Sequence, residues 1–122
     1  MKLTDEQKRT ILEGFLEILT RISDLEYQKR VWIKGEGPEC DDFDETICLY
    51  FDIGNPALED YKELNISESQ YGLLKKFHEE LRKFSDENDE PKQFISTNAW
   101  KKITEKAAEI LKAFNFNKIT NK

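Results

Sequence analysis

TDEQKRTILEGFLEILTRISDLEYQKR, residues 4–30, reads as a long amphipathic helix. Ile11, Phe15, Ile18, Ile22 and Leu25 fall on one stripe at steps of three and four, widened by Leu12, Leu16 and Leu19. Thr4 and Gln7 have the spacing of a capping box, and Asp5 and Glu6 sit at the positive end of the helix dipole. Only Gly14 interrupts the pattern, which predicts one helix from Thr4 to about Arg30. Val31-Trp32-Ile33 either extends it or forms a short extended piece, before Gly35, Gly37 and Pro38 force a turn.

Working outward, Asp41 to about Asp52 reads as a second helix, with Phe43, Ile47 and Tyr50 or Phe51 on one face. Gly54-Asn55-Pro56 is expected to end it, and Ala57 to Leu64 to add one or two further helical turns. Ser67 and Gln70 form a second capping box, opening a helix that turns Tyr71, Leu74, Phe77 or His78, Leu81 and Phe84 inward. SDENDEP, residues 85–91, breaks it. Thr97 caps a last helix whose stripe is Trp100, Ile103, Ala107, Ile110, Leu111 and Phe114. No run of alternating β-branched residues is bounded by turns, so strands are not expected. The expected fold is all-α: a single compact domain over residues 1–122, with four main helices plus a short helical turn and the second helix laid across the others.

A chain of 122 residues is long enough to bury roughly two-thirds of the surface its unfolded form exposes. No apolar run approaches the roughly 20 residues needed to span a bilayer. The start, MKLTDEQKRT, lacks the apolar stretch and cleavage site of a secretory signal, so the expected location is cytoplasmic. If Cys40 and Cys48 share a helix they lie about 12 Å apart along its axis, beyond the roughly 7 Å that a disulfide tolerates between Cα atoms. Cys48 is expected to be a small buried residue and Cys40 a partly exposed one.

The charge is unevenly spread. Between Lys34 and Lys62 there is no basic residue but there are nine acids, so against a net charge of −6 the rest of the chain sums to +3. Phe43, Ile47, Leu49, Tyr50 and Phe51 run through this block, which distinguishes it from a solvated acidic tail. First-turn and capping roles account for three or four of the carboxylates, not for nine. The acidity argues against a general nucleic-acid binder, which needs clustered Lys and Arg, and suits a protein partner with a basic surface. The candidate partner-binding residues are Glu36, Glu39, Asp41, Asp42, Asp44 and Glu45. Beside them Trp32 and Tyr50 are each either core residues or interface anchors.

The chain offers little to catalysis. His78 is the only histidine, which removes most zinc sites, and position 82 is Arg where a metalloprotease helix needs its second His. Ile47 and Pro91 stand where EF-hand loops starting at Asp42 and Asp86 would need Gly. No phosphate-binding glycine loop and no nucleophile elbow is present. No metal, no cofactor and no enzymatic activity are expected.

The run RVWIKGEGPECDDFDET, residues 30–46, followed by FSDENDEP at 84–91 and the spacing on to Trp100, resembles small acidic bacterial immunity proteins of polymorphic and contact-dependent toxin systems. The resemblance implies a cytosolic protein that binds and blocks one toxin domain; a nuclease toxin would present a basic cleft to it. The expected function is therefore a non-enzymatic acidic binding protein. Two alternatives stand beside it: a small regulatory or adaptor helical domain, self-associating or not, whose acidity serves solubility, and a DNA mimic.

Overall fold

The structure, a computed structural model, describes residues 3–38 and 41–116. It is all-α, with no strand among the described residues. Four long helices are α1 (Asp5–Ser23), α3 (Phe43–Glu59), α4 (Glu68–Glu87) and α6 (Asn98–Ala113). Two short ones, α2 (Leu25–Tyr27) and α5 (Pro91–Phe94), complete the set, and α2 runs directly into a π-helical segment, Gln28–Ile33.

Where the signals are local, the elements begin as the sequence dictates. Thr4 and Gln7 close the capping box of α1, Ser67 and Gln70 that of α4, and Thr97 Oγ1 accepts from the Trp100 N–H to start α6. Three boundaries depart from expectation. The first helix stops at Asp24 rather than Arg30: Asp24 is extended, and its carboxylate accepts from the Tyr27 N–H to cap a new turn. The second helix does not end at Gly54-Asn55-Pro56 but runs on to Glu59. Pro56 removes only the bond to the Asp52 carbonyl, and both residues are exposed, so water can take that oxygen. The segment expected to break at Ser85 continues to Glu87, and Pro91, at a first helical position, opens α5.

α1 packs against α3 and α6, and α4 against the same two. Side-chain pairs fix the directions. Phe15 meets Tyr50 while Arg21 reaches Asp41, Tyr50 meets Phe77 while Tyr61 stacks on Tyr71, and Glu80 meets Lys106 while Phe84 meets Trp100. Each neighbour is antiparallel, giving an up-down-up-down four-helix bundle with α3 diagonally opposite α6. The expectation that the acidic helix lies across the others is corrected: α3 is one of the four staves, because its apolar stripe (Phe43, Ile47, Tyr50, Ala57) is as deeply buried as those of its neighbours.

Trp100, fully buried, is the hub of one end of the bundle, with the rings of Trp32, Phe43, Phe84 and Phe94 at centroid distances of 5.0–6.1 Å. Nearer the middle, Tyr50 packs between Phe15 and Phe77. Gly54 is the close-approach point of α1 and α3: a β-carbon there would lie 3.1 Å from Phe15 Cε1. Gly14 and Gly72, in contrast, sit in helices with nothing within 4 Å of a built β-carbon. Converting both to Ala is expected to raise stability by about 1–2 kcal/mol, through helix propensity alone. Denaturant unfolding of the double variant checks this.

Candidate partner-binding face

The residues expected to bind a partner separate into three environments. Tyr50 is fully buried, and burial pushes its hydroxyl well above its ordinary value, so it stays protonated. Trp32 is 9% exposed, packs edge-on against Phe43 and donates from Nε1 to Asp41 Oδ2 at 3.1 Å. Both are core residues, which removes them from the face.

Asp41 also turns inward, with its side chain 6% exposed. Its carboxylate accepts from Tyr27 Oη (2.6 Å), Trp32 Nε1 (3.1 Å) and Thr46 Oγ1 (2.8 Å to each oxygen), with Arg21 Nη1 at 3.8 Å. An ionised carboxylate out of water needs such donors, and this set pins the start of α3 to α2 and the π-helical segment. Asp41 is therefore an internal brace, not a surface charge. Asp42 is exposed but serves as the N-cap of α3, accepting from the Glu45 N–H at 2.8 Å. Glu36 is exposed on the preceding loop, where its carbonyl accepts from Arg30 Nη1. Glu39, like Cys40, lies outside the described residues.

Asp44 and Glu45 do face solvent, and α3 extends their row. Asp44, Glu45, Cys48, Leu49, Asp52, Asn55, Pro56 and Glu59 are all exposed. At about 100° per residue they span about 140° of arc, and from Asp44 to Glu59 the row is about 22 Å long. The face contains no Lys or Arg, and its four carboxylates have no cation partner among the described residues. Arg82, on α4, borders it with its guanidinium 4.3 Å over the Phe51 ring. Leu49, 38% exposed, is the large hydrophobic residue left most open to solvent among those described. Cys48 is exposed, not buried as expected, because position 48 falls on the outer arc between Asp44 and Asp52.

The second acidic run shares an end of the molecule with the first. Phe94 touches both Phe43, at the start of α3, and Phe84, near the end of α4, at 4.8 and 5.0 Å. The exposed Asp86, Glu87, Asp89 and Glu90 therefore lie at the same pole as Asp44 and Glu45. On the diagonal α6 the balance reverses: Lys101, Lys102, Lys106 and Lys112 outnumber Glu105 and Glu109. Lys83, Lys102 and Lys106 alternate with Glu80 and Glu87 around a groove of about 310 Å³ between α4 and α6, floored by Phe84 and Ile103, where Lys106 pairs with Glu80. Among the described residues no cluster of three or more His, Cys, Asp or Glu could hold a metal, and no helix is long and apolar enough to cross a membrane.

Asp52, Glu59 and Leu49 were not singled out by the sequence. The signal is there in retrospect: Glu45, Asp52 and Glu59 recur at steps of seven, two helical turns each. It is readable only once the helix is known to pass through Pro56. No family model, curated protein or solved structure matches the chain.

Proposed function

We propose that the chain is a non-catalytic binding protein whose outer α3 face docks on a basic patch of a partner protein, in the manner of an immunity protein neutralising a toxin domain. One observation carries this reading: Asp44, Glu45, Asp52 and Glu59 form a row of carboxylates, with no cation partner among the described residues, beside Leu49 on one exposed helix face. The helix dipole favours Asp44 and Glu45, in the first turn of α3, but gives no such reason for Asp52 or for Glu59 at the other end, and like charges on one helix face repel. A one-signed field does steer an oppositely charged partner and fixes its register. Leu49 supplies the apolar contact in place of Trp32 and Tyr50. The resemblance of residues 30–46 and 84–91 to immunity proteins points the same way.

The DNA-mimic alternative fits less well. Four charges over about 22 Å fall far short of a duplex, which carries one per about 1.7 Å of axis. Self-association has one specific observation behind it, the cationic α6 diagonally opposite α3. A contact between those two faces would be head-to-tail and salt-sensitive.

The test uses the domain encoded at the 3′ end of the gene directly upstream. D44N/E45Q/D52N/E59Q is expected to weaken its binding by about 100-fold or more, roughly 0.7 kcal/mol per charge, and to flatten the salt dependence. Binding that is unchanged in affinity and in salt response rejects the reading, and an upstream gene of metabolic function counts against the toxin partner. Gel filtration at low and high salt decides the self-association alternative.

A further inference from the structure

The chain's only histidine is built into the seam between α3 and α4. His78 is half-buried, with Nε2 2.8 Å from Asn55 Oδ1 and Nδ1 3.2 Å from Tyr50 Oη. An amide oxygen can only accept, so Nε2 carries the proton and Nδ1 is the acceptor for the Tyr50 hydroxyl. That hydroxyl belongs to a fully buried side chain whose ring is enclosed by Phe15, Phe51, Phe77 and the imidazole itself. The charged groups acting on the imidazole are Arg82 and Glu79, both on α4. α3 presents Tyr50, Phe51 and Asn55 to it, and α1 reaches the site through the Phe15 ring against Gly54.

We propose that His78 is an acid-released latch: neutral, it bonds α3 to α4 through both ring nitrogens, and a second proton breaks the buried half of that bridge, the bond to Tyr50. Protonation at Nδ1 turns the acceptor into a donor facing the Tyr50 hydroxyl. The hydroxyl, on a side chain with no exposed surface, would have to accept and aim its own hydrogen elsewhere, although His78 is its one hydrogen-bond partner among the described residues. The imidazolium still donates from Nε2 to Asn55 Oδ1, so the exposed half of the tie between the helices survives and the buried half, at Tyr50, is lost. Burial first, and the Arg82 charge second, hold the ring below its ordinary value of 6.5, with Glu79 opposing. Because the folded value lies below the unfolded one, the unfolded chain binds the proton more readily. The latch's contribution is complete above pH 6.5 and declines as the pH falls from there through the folded value. The inference is independent of any partner, although α3 is also the helix that presents the acidic face.

With a single histidine the experiment is direct. NMR of the native protein should show one imidazole titrating below 6.5. Tyr50→Phe, which removes the donor to Nδ1, should move that midpoint up toward 6.5. Denaturant midpoints should fall between about pH 7.5 and about pH 5.5, a window in which an unperturbed His titrates and ordinary carboxylates do not. His78→Gln, which keeps a donor and an acceptor but cannot titrate there, should lose that fall. A ring titrating at or above 6.5, or a His78→Gln protein with the full pH response, overturns the latch. The wild-type titration requires no variant, so the test stands even if a substitution fails to fold.

Discussion

Replacing Gln28 with leucine is expected to lower stability by about 4 kcal/mol, although the two side chains are close in volume. Gln28 is fully buried in the π-helical segment, yet every polar atom of its amide that the structure places has a use. Nε2 donates to the carbonyls of Arg21 (2.9 Å) and Ile22 (2.8 Å), and Oε1 accepts from Trp100 Nε1 at 2.8 Å. Those carbonyls sit at the end of α1, where the break at Asp24 removes the N–H groups a continuing helix would supply. One amide therefore caps α1 and anchors the hub of the aromatic cluster. Leucine leaves an indole N–H and the Ile22 carbonyl buried without partners. The Arg21 carbonyl keeps only the 3.4 Å contact from the Asp24 N–H. At about 1–3 kcal/mol for each orphaned group, the loss is a large part of a typical total of about 5–15 kcal/mol. Thermal unfolding should shift down by more than about 10 °C. Trp100→Phe on the same background removes the orphaned N–H, so the double variant should lose less than the sum of the singles. Purely additive losses would show that the 2.8 Å bond contributes nothing.

These bonds mark the limit of what the sequence discloses. Both capping boxes, the Thr97 cap and the apolar stripes are written in residues at most a few turns apart, and each is found where the pattern puts it. The end of α1 is not, since Leu25 continues the stripe and nothing nearby outweighs it. What makes the break tolerable is a bond from Gln28 to a tryptophan 72 residues away. Gly54-Asn55-Pro56 misleads for the same reason. In sequence the three spell a turn; in the bundle Gly54 admits the Phe15 ring, Asn55 accepts from His78, and Pro56 faces solvent. The site divides likewise. Composition announces a concentration of acid at 36–60, but not which carboxylates point outward. That depends on donors brought in from α1, α2 and the π-helical segment.

Asp41→Ala tests that division, and a loss of about 3–5 kcal/mol is expected. The substitution leaves the buried Trp32 N–H without its acceptor and takes the same acceptor from the hydroxyls of Tyr27 and Thr46. Arg21 contributes less than these, being 3.8 Å away and a third exposed. Asp41→Asn should be milder, at about 2 kcal/mol, because one oxygen remains as an acceptor while the new amide hydrogens confront existing donors. Asp44→Ala, three residues on, should change stability by no more than about 0.5 kcal/mol, since its carboxylate has no partner among the described residues. Denaturant unfolding measures all three, and near-ultraviolet circular dichroism reports whether the Trp32 environment loosens. If Asp41→Ala unfolded at the wild-type midpoint, the carboxylate would be free and would rejoin the outer face. If it unfolds early while Asp44→Ala does not, carboxylates a single turn apart hold different jobs. Any charge-neutralising test of partner binding must then leave Asp41 in place, or it will measure unfolding instead.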